Sequence, residues 1–215
     1  MKKSTEPSNH LTTAQNTRAA DTFVESNLRF VFNTQWKVRK YDAHPFYQAM
    51  SGVGMRAVDF VGINEHGSLF LLEVKNYRNR PERELERTLA KISAPQPPLA
   101  DALFQKIKET KAGIRVIGTY LNRKWWYRML FFVLNRARFQ AFLLRKDRLF
   151  WMQANRILNT KAESVRCILH LELPDVLEDQ RQIIATYLNG MAESKIEIYS
   201  SQQFDVDIIQ AVDEI

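Results

Sequence analysis

With one cysteine among 215 residues, Cys167, the chain can form neither an internal disulfide nor a thiolate metal cluster. A reducing compartment is the natural expectation. Glycine and proline are scarce, seven of each, and 26% of residues are charged, which argues against low-complexity structure. Long apolar runs are missing too. The most hydrophobic stretch, Met129 to Leu134, is far too short to span a bilayer, and the opening MKKSTEPSNHLTTAQN lacks the apolar centre of a secretory signal. These absences point to a soluble, cytoplasmic protein. The four histidines (His10, His44, His66, His170) show no metal-ligand spacing, and there is no Walker loop, nucleophile elbow or dinucleotide fingerprint.

What is present is enough apolar material, 45% of residues, for a sizeable core. The organisation expected is a flexible polar tail over 1–17 and a single domain over 18–215 with an insertion at about 113–160. The formal net charge is +7, and it is unevenly spread. Basic residues crowd between Lys111 and Arg166, whereas the chain turns acidic from Glu172 onward. In the basic stretch, Arg123, Lys124 and Arg128 surround Trp125, Trp126 and Tyr127. That combination suits phosphate contacts with stacking on splayed bases, so these three cations are the expected nucleic-acid contacts. Two other readings stay open: core aromatics beneath a solvated basic face, or adsorption to an anionic membrane surface.

Apolar periodicity predicts a helix over Arg18 to Phe32 carrying Glu25, a strand over Trp36 to Asp42 and a loop over Ala43 to Gly54. Two extended runs follow, Arg56 to Ile63 and Ser68 to Asn76, joined by the short polar link Asn64-Glu65-His66-Gly67, which reads as a hairpin turn. A charged helix is expected over Pro81 to Lys91, a stiff segment over Ala94 to Pro98 and an amphipathic helix over Leu99 to Lys111. The stretch Gly113 to Thr160 has no clear period. After it come a strand over Val165 to Leu173, a helix over Glu178 to Ala192 and a strand over Lys195 to Ser200.

The chemistry concentrates in the expected hairpin. Ser68-Leu-Phe-Leu-Leu-Glu73-Val-Lys75-Asn76 is apolar on both faces of a strand, which implies a doubly covered position. Glu73 and Lys75 alternate onto one face at its end, where ionisable groups are costly unless compensated. In the preceding run, Asp59 alone interrupts Ala57-Val58-Asp59-Phe60-Val61. If the runs pair, Asp59 lies beside Glu73 and Lys75 on strands about 5 Å apart. Carboxylates that close repel, and a divalent cation removes the penalty. The cation would activate water and stabilise charge on phosphorus, with a lysine orienting the water.

Asp59 followed by Glu73-Val74-Lys75, with a helical Glu25 before and an amphipathic helix after, resembles the PD-(D/E)XK nuclease superfamily, the restriction-endonuclease-like fold. The resemblance runs from about Ala19 to Lys111, with Val165 to Leu173 as a fourth core strand. It implies an α/β (α+β) mixed sheet flanked by helices, dependence on Mg²⁺ (or Mn²⁺) and a nucleic-acid substrate, DNA in the first place. It also implies Asp59 and Glu73 as metal ligands, Lys75 as catalytic lysine and Glu25 as an auxiliary acid. The residue before Asp59 is Val58 rather than proline. Gln105 sits in the element where some relatives carry a glutamine-tyrosine motif, but no tyrosine follows, so Gln105 and Lys106 read as surface residues. The Glu-x-Lys pattern alone is unspecific, recurring at Glu109/Lys111 and Glu193/Lys195. A catalytically inactive nucleic-acid-binding or scaffold module on the same fold is the alternative, with Lys75 serving only in a structural ion pair.

Overall fold

The computed structural model describes residues 20–78, 98–134, 144–191 and 196–215, with isolated positions between 84 and 90. The expected tail, most of the charged helix over Pro81 to Lys91, and the Ala94 to Pro98 segment apart from its last residue lie outside the described residues. In place of the helix expected over Arg18 to Phe32 there is a β-hairpin: Thr22–Glu25 (β1) pairs antiparallel with Leu28–Phe32 (β2). Ser26 and Asn27 between them have positive φ, 53° and 61°, as a type I′ turn requires. The sequence here fits two periods. Phe23, Val24 and Leu28 follow helical spacing, but Leu28, Phe30 and Phe32 alternate with Arg29 and Val31, and the alternating set is the one fully buried.

Trp36–Lys40 (β3) forms where a strand is expected. The expected loop after it holds a short helix, Pro45–Ser51 (α1). Its signal is local: the His44 side chain accepts the Phe46 N–H as N-cap, and Pro45 supplies a preset φ in the first turn. Phe60–Asn64 (β4) and Leu69–Asn76 (β5) make the expected hairpin. Its turn is fixed by the Asn64 side chain, which accepts from the His66 and Ser68 N–H groups, and by Gly67 at φ 81°.

Pro98–Asn122 (α2) runs well past the expected Lys111. Trp125–Leu134 (α3) and Asp147–Thr160 (α4) follow, so the stretch without a clear period is mainly helical wherever it is described. Val165–Glu172 (β6), Glu178–Met191 (α5) and Ile196–Tyr199 (β7) match expectation closely. Ile209–Glu214 (β8) was not anticipated.

The result is a mixed α/β structure with two sheets. The larger has the order β3-β4-β5-β6-β7, antiparallel through β5 and parallel from β5 to β7. The smaller has the order β1-β2-β8 and is antiparallel. Val61, Ile63, Leu69 and Leu71 point to one side of the larger sheet, into a core shared with Ile107 and Ile114 of α2 and Trp151 of α4. Phe60, Phe70, Leu72 and Val74 point to the other, against Phe30 and Phe32 of the small sheet. Helices therefore cover one face of the core sheet, and a second sheet covers the other. This corrects the expectation of a sheet flanked by helices. The cause is the β1–β2 hairpin, whose row of buried phenylalanines offers a flat apolar surface that a sheet face accepts.

Gly62 faces Phe70 across the β4–β5 pair. A Cβ at Gly62 would sit 2.2 Å from Phe70 Cε1, and the ring is boxed in by Phe32 at 5.7 Å and Trp36 at 5.0 Å between centroids. Gly62→Ala is therefore expected to destabilise the fold by about 1–3 kcal/mol, seen as a lower denaturant midpoint at unchanged slope. Adding Phe70→Leu should recover part of the loss. An unchanged midpoint for the single variant would mean that Phe70 is free to move aside.

Candidate active site

Three strand ends converge at one edge of the larger sheet. β3 runs into Tyr41 and Asp42, β4 begins just after Asp59, and β5 closes with Glu73, Val74 and Lys75 before Asn76. The Tyr41 N–H donates to the Asp59 carbonyl at 2.7 Å, which carries the β3–β4 pairing one step further. One step beyond the Phe60↔Leu72 pair, Asp59 lies across from Glu73, and its Oδ2 accepts the Val74 N–H at 2.6 Å. Alternation then puts Asp59, Glu73 and Lys75 on the face of Val61 and Leu71, beneath α2.

Glu73 is 1% exposed. Its Oε1 takes two ammonium groups, Lys75 Nζ at 2.5 Å and Lys106 Nζ at 2.6 Å. Lys106 comes from α2, where Leu103 and Ile107 anchor the helix in the core and aim the neighbouring lysine at the strand end. This corrects the expectation that Lys106 is an ordinary surface residue. Gln105, next to it, is exposed and donates to Glu109.

Glu25 arrives at the site, but from a strand rather than the expected helix. It ends β1, and its Oε2 lies 2.6 Å from Lys40 Nζ. One oxygen each of Glu25, Asp42 and Asp59 lies within 4.8 Å of the others. The sequence reading missed Asp42, Lys40 and Lys106. The signal for Asp42 was available: it follows β3 directly, and an antiparallel β3 brings its end beside the start of β4, where Asp59 lies.

The charges are unevenly answered. Glu25 has Lys40, and Glu73 has Lys75 and Lys106, whereas Asp42 and Asp59 have no ion-pair partner among the described residues. Burial pushes the Asp59 carboxyl up to about 7, and the Glu73 charge pushes the same way; the Val74 N–H, Lys106 and Lys75 offset only part of this. Burial also raises the Asp42 carboxyl above its ordinary value, against the pull of Lys40. Burial alone would lower Lys75, but the charge and hydrogen bond of Glu73 outweigh it and leave the ammonium raised. Lys40 is raised chiefly by its hydrogen bond to Glu25.

A hard divalent cation fits this donor set. The ligating atoms on offer are all carboxylate oxygens, and two of them, Asp42 Oδ1 and Glu73 Oε2, are buried with no hydrogen-bond partner. Asp59 and Glu73, the ligands expected from the sequence, do lie beside one another. It is Glu25 and Asp42, however, that join Asp59 at ligand spacing. Arg123, Lys124 and Arg128 are elsewhere: they lie past the far end of α2, roughly 24 Å along its axis from Lys106.

The raised Asp59 carboxyl predicts how metal-free stability varies with pH. Unfolded Asp59 releases its proton near 3.8 and folded Asp59 near 7, so between these values the folded chain holds the extra proton. Stability therefore falls as pH rises through that window. In a chelator, Tm of the parent should drop from pH 5 to pH 8 more steeply than Tm of Asp59→Asn; parallel curves would refute the assignment. No protein-family model, curated protein or solved structure matches this chain.

Proposed function

We propose that the chain is a metal-dependent nuclease of the PD-(D/E)XK type, on a restriction-endonuclease-like core, hydrolysing phosphodiester bonds in nucleic acid, with DNA the first substrate to test. One observation carries this reading. Asp59 and Glu73 stand side by side at the end of a strand pair, with Lys75 on Glu73 and with Glu25 and Asp42 within ligand distance of Asp59. The order of β3, β4, β5 and β6, with the parallel step at β6, supports the same fold.

Asp59, Glu25 and Asp42 would hold Mg²⁺ or Mn²⁺, with the unpartnered Oε2 of Glu73 as a further donor. When bound, the cation supplies Lewis-acid stabilisation of charge on the phosphate and makes water a better nucleophile. The protein's own groups do the rest. Lys75 is half-buried, and its ammonium, with its direction fixed by Glu73, would donate a hydrogen bond to the attacking water. Lys106 holds the same carboxylate from the helix side and prevents Glu73 from turning away. Water's oxygen bonds to phosphorus as the bond from phosphorus to the leaving sugar oxygen breaks; the attacking water's proton passes to solvent and the sugar oxygen takes one up from it, leaving a phosphate-ended and a hydroxyl-ended strand.

A second reading has an observation in its favour. Lys75 and Lys106 already share Glu73 Oε1, which is how a purely structural ion-pair network would look. On that reading the chain binds nucleic acid without cutting it.

A panel of plasmid, linear and single-stranded DNA and RNA, incubated with Mg²⁺ or Mn²⁺, separates the two. Cleavage by the parent, reduced on the order of a thousandfold or more in Glu73→Ala and in Lys75→Ala, is the expected result. Binding without turnover would select the second reading, and cleavage that survives both substitutions would remove the site from consideration.

A further inference from the structure

The least explained surface of the molecule is α3. Helix burial normally leaves polar residues on the outer side, but here the outer side is apolar. Tyr127 is 5% exposed and the half-buried Phe131, one turn on, packs against the same core. This pair is the stripe by which the helix is seated. On the opposite side, Trp125, Met129 and Phe132, spaced i, i+4, i+7, are 73%, 57% and 80% exposed. Trp126, Leu130 and Val133 widen the same face and are exposed as well. A groove of about 690 Å³ runs along it, lined by Trp125, Arg128, Met129, Phe132 and Arg156 among others.

Among the described residues, the charged side chains lining this face are cationic. Arg123 and Lys124 precede the helix, Arg128 flanks Phe132 and Arg156 closes the groove from α4; all four are exposed. The one nearby acid on α4, Asp147, is turned away into contacts with Arg39 and His44. An apolar centre inside a cationic rim complements an apolar layer with an anionic surface. Phosphodiester backbones would answer the rim but leave Met129, Phe132 and Val133 without a partner. A second copy would answer the apolar centre but bring two cationic rims together. We infer that α3 is a docking face for the surface of an anionic lipid bilayer. It lies flat in the headgroup region, with Trp125, Met129 and Phe132 inserted and Arg123, Lys124, Arg128 and Arg156 on the lipid phosphates. Tryptophan suits that depth, since its ring is apolar and its N–H stays wet. Among the described residues no helix is long and apolar enough to cross a membrane, so attachment is peripheral.

Flotation of the full chain with phosphatidylcholine vesicles, and with equimolar phosphatidylcholine and phosphatidylglycerol, tests this. Binding to the anionic vesicles only, weakened by salt, is expected. Trp125→Ser combined with Phe132→Ser should lower the partition coefficient on the order of tenfold or more, as should Arg123→Gln, Lys124→Gln and Arg128→Gln together. These side chains are exposed, so folding should survive; circular dichroism checks this for each variant. Tryptophan emission gives a second readout. Trp36 and Trp151 are buried, so a blue shift on adding anionic vesicles must come from Trp125 and Trp126. No flotation with anionic vesicles overturns the inference. So does flotation indifferent to both sets of substitutions, self-association of the lipid-free chain that the serine pair abolishes, or DNA binding lost with the glutamine set where vesicles never bind.

Discussion

A strand covered on both sides cannot carry a carboxylate unless something answers its charge, and β5 carries Glu73 at 1% exposure. The requirement is met from two directions, by Lys75 two residues along the same strand and by Lys106 from the helix above. Only the loss of both lysines would leave this acid unanswered in an apolar setting, which costs far more than a surface ion pair is worth. The position of α2 is thus tied to the chemistry of β5. Leu103 and Ile107 seat it in the core, and Lys106 between them reaches the strand end. The neighbouring acids have no such answer. Asp42 and Asp59 remain without an ion pair among the described residues, and burial pushes both carboxyls toward the protonated form. An oxygen-rich corner with unanswered negative charge is a place where a cation is stabilised on arrival.

How much of this was legible depends on what each residue's signal is made of. The β4–β5 hairpin could be read because Asp59, Glu73 and Lys75 are conspicuous interruptions of apolar runs, and because Asn64 to Gly67 carries turn chemistry that leaves few alternatives. The parallel partner β6 could be read from VRCILHLE, a run apolar on both faces. Glu25 does come beside Asp42 and Asp59, but from a strand where the sequence predicts a helix. Its segment satisfies helical and alternating spacing at once, and what favours the strand is tertiary: pairing with β8, far away in sequence, and packing of Phe30 and Phe32 on the larger sheet. Nothing local announces β8, since Ile209–Glu214 ends in two acids and Ile209 is its one buried residue. Lys106 was unreadable because a lysine beside two buried residues on an amphipathic helix looks the same whether it points at solvent or at an acid on another element.

The basic aromatic stretch failed as a pattern for a different reason. Sequence periodicity detects a helix by contrast between a wet and a dry face, and α3 has little contrast: it is seated by Tyr127 and Phe131 while its outer face is also apolar. The same weakness of contrast is what makes the surface informative. A large apolar area left in water is costly to keep, and proteins that keep one use it.

The small sheet has a bearing on the order of assembly. β2, near the start of the described chain, is held in the middle of β1-β2-β8 by the last strand, with Leu28 opposite Glu214. The hairpin that delivers Glu25 therefore has its second neighbour only once β8 has left the ribosome. Until then the Phe60, Phe70 and Leu72 side of the central strands is covered by a lone two-stranded ribbon, which is marginal by itself in water. Such long-range closure is slow, because the chain must search before it is rewarded. The acidic corner consequently becomes whole only after β8 has joined β2, and a nascent chain that has not yet reached β8 carries its pieces without having the site.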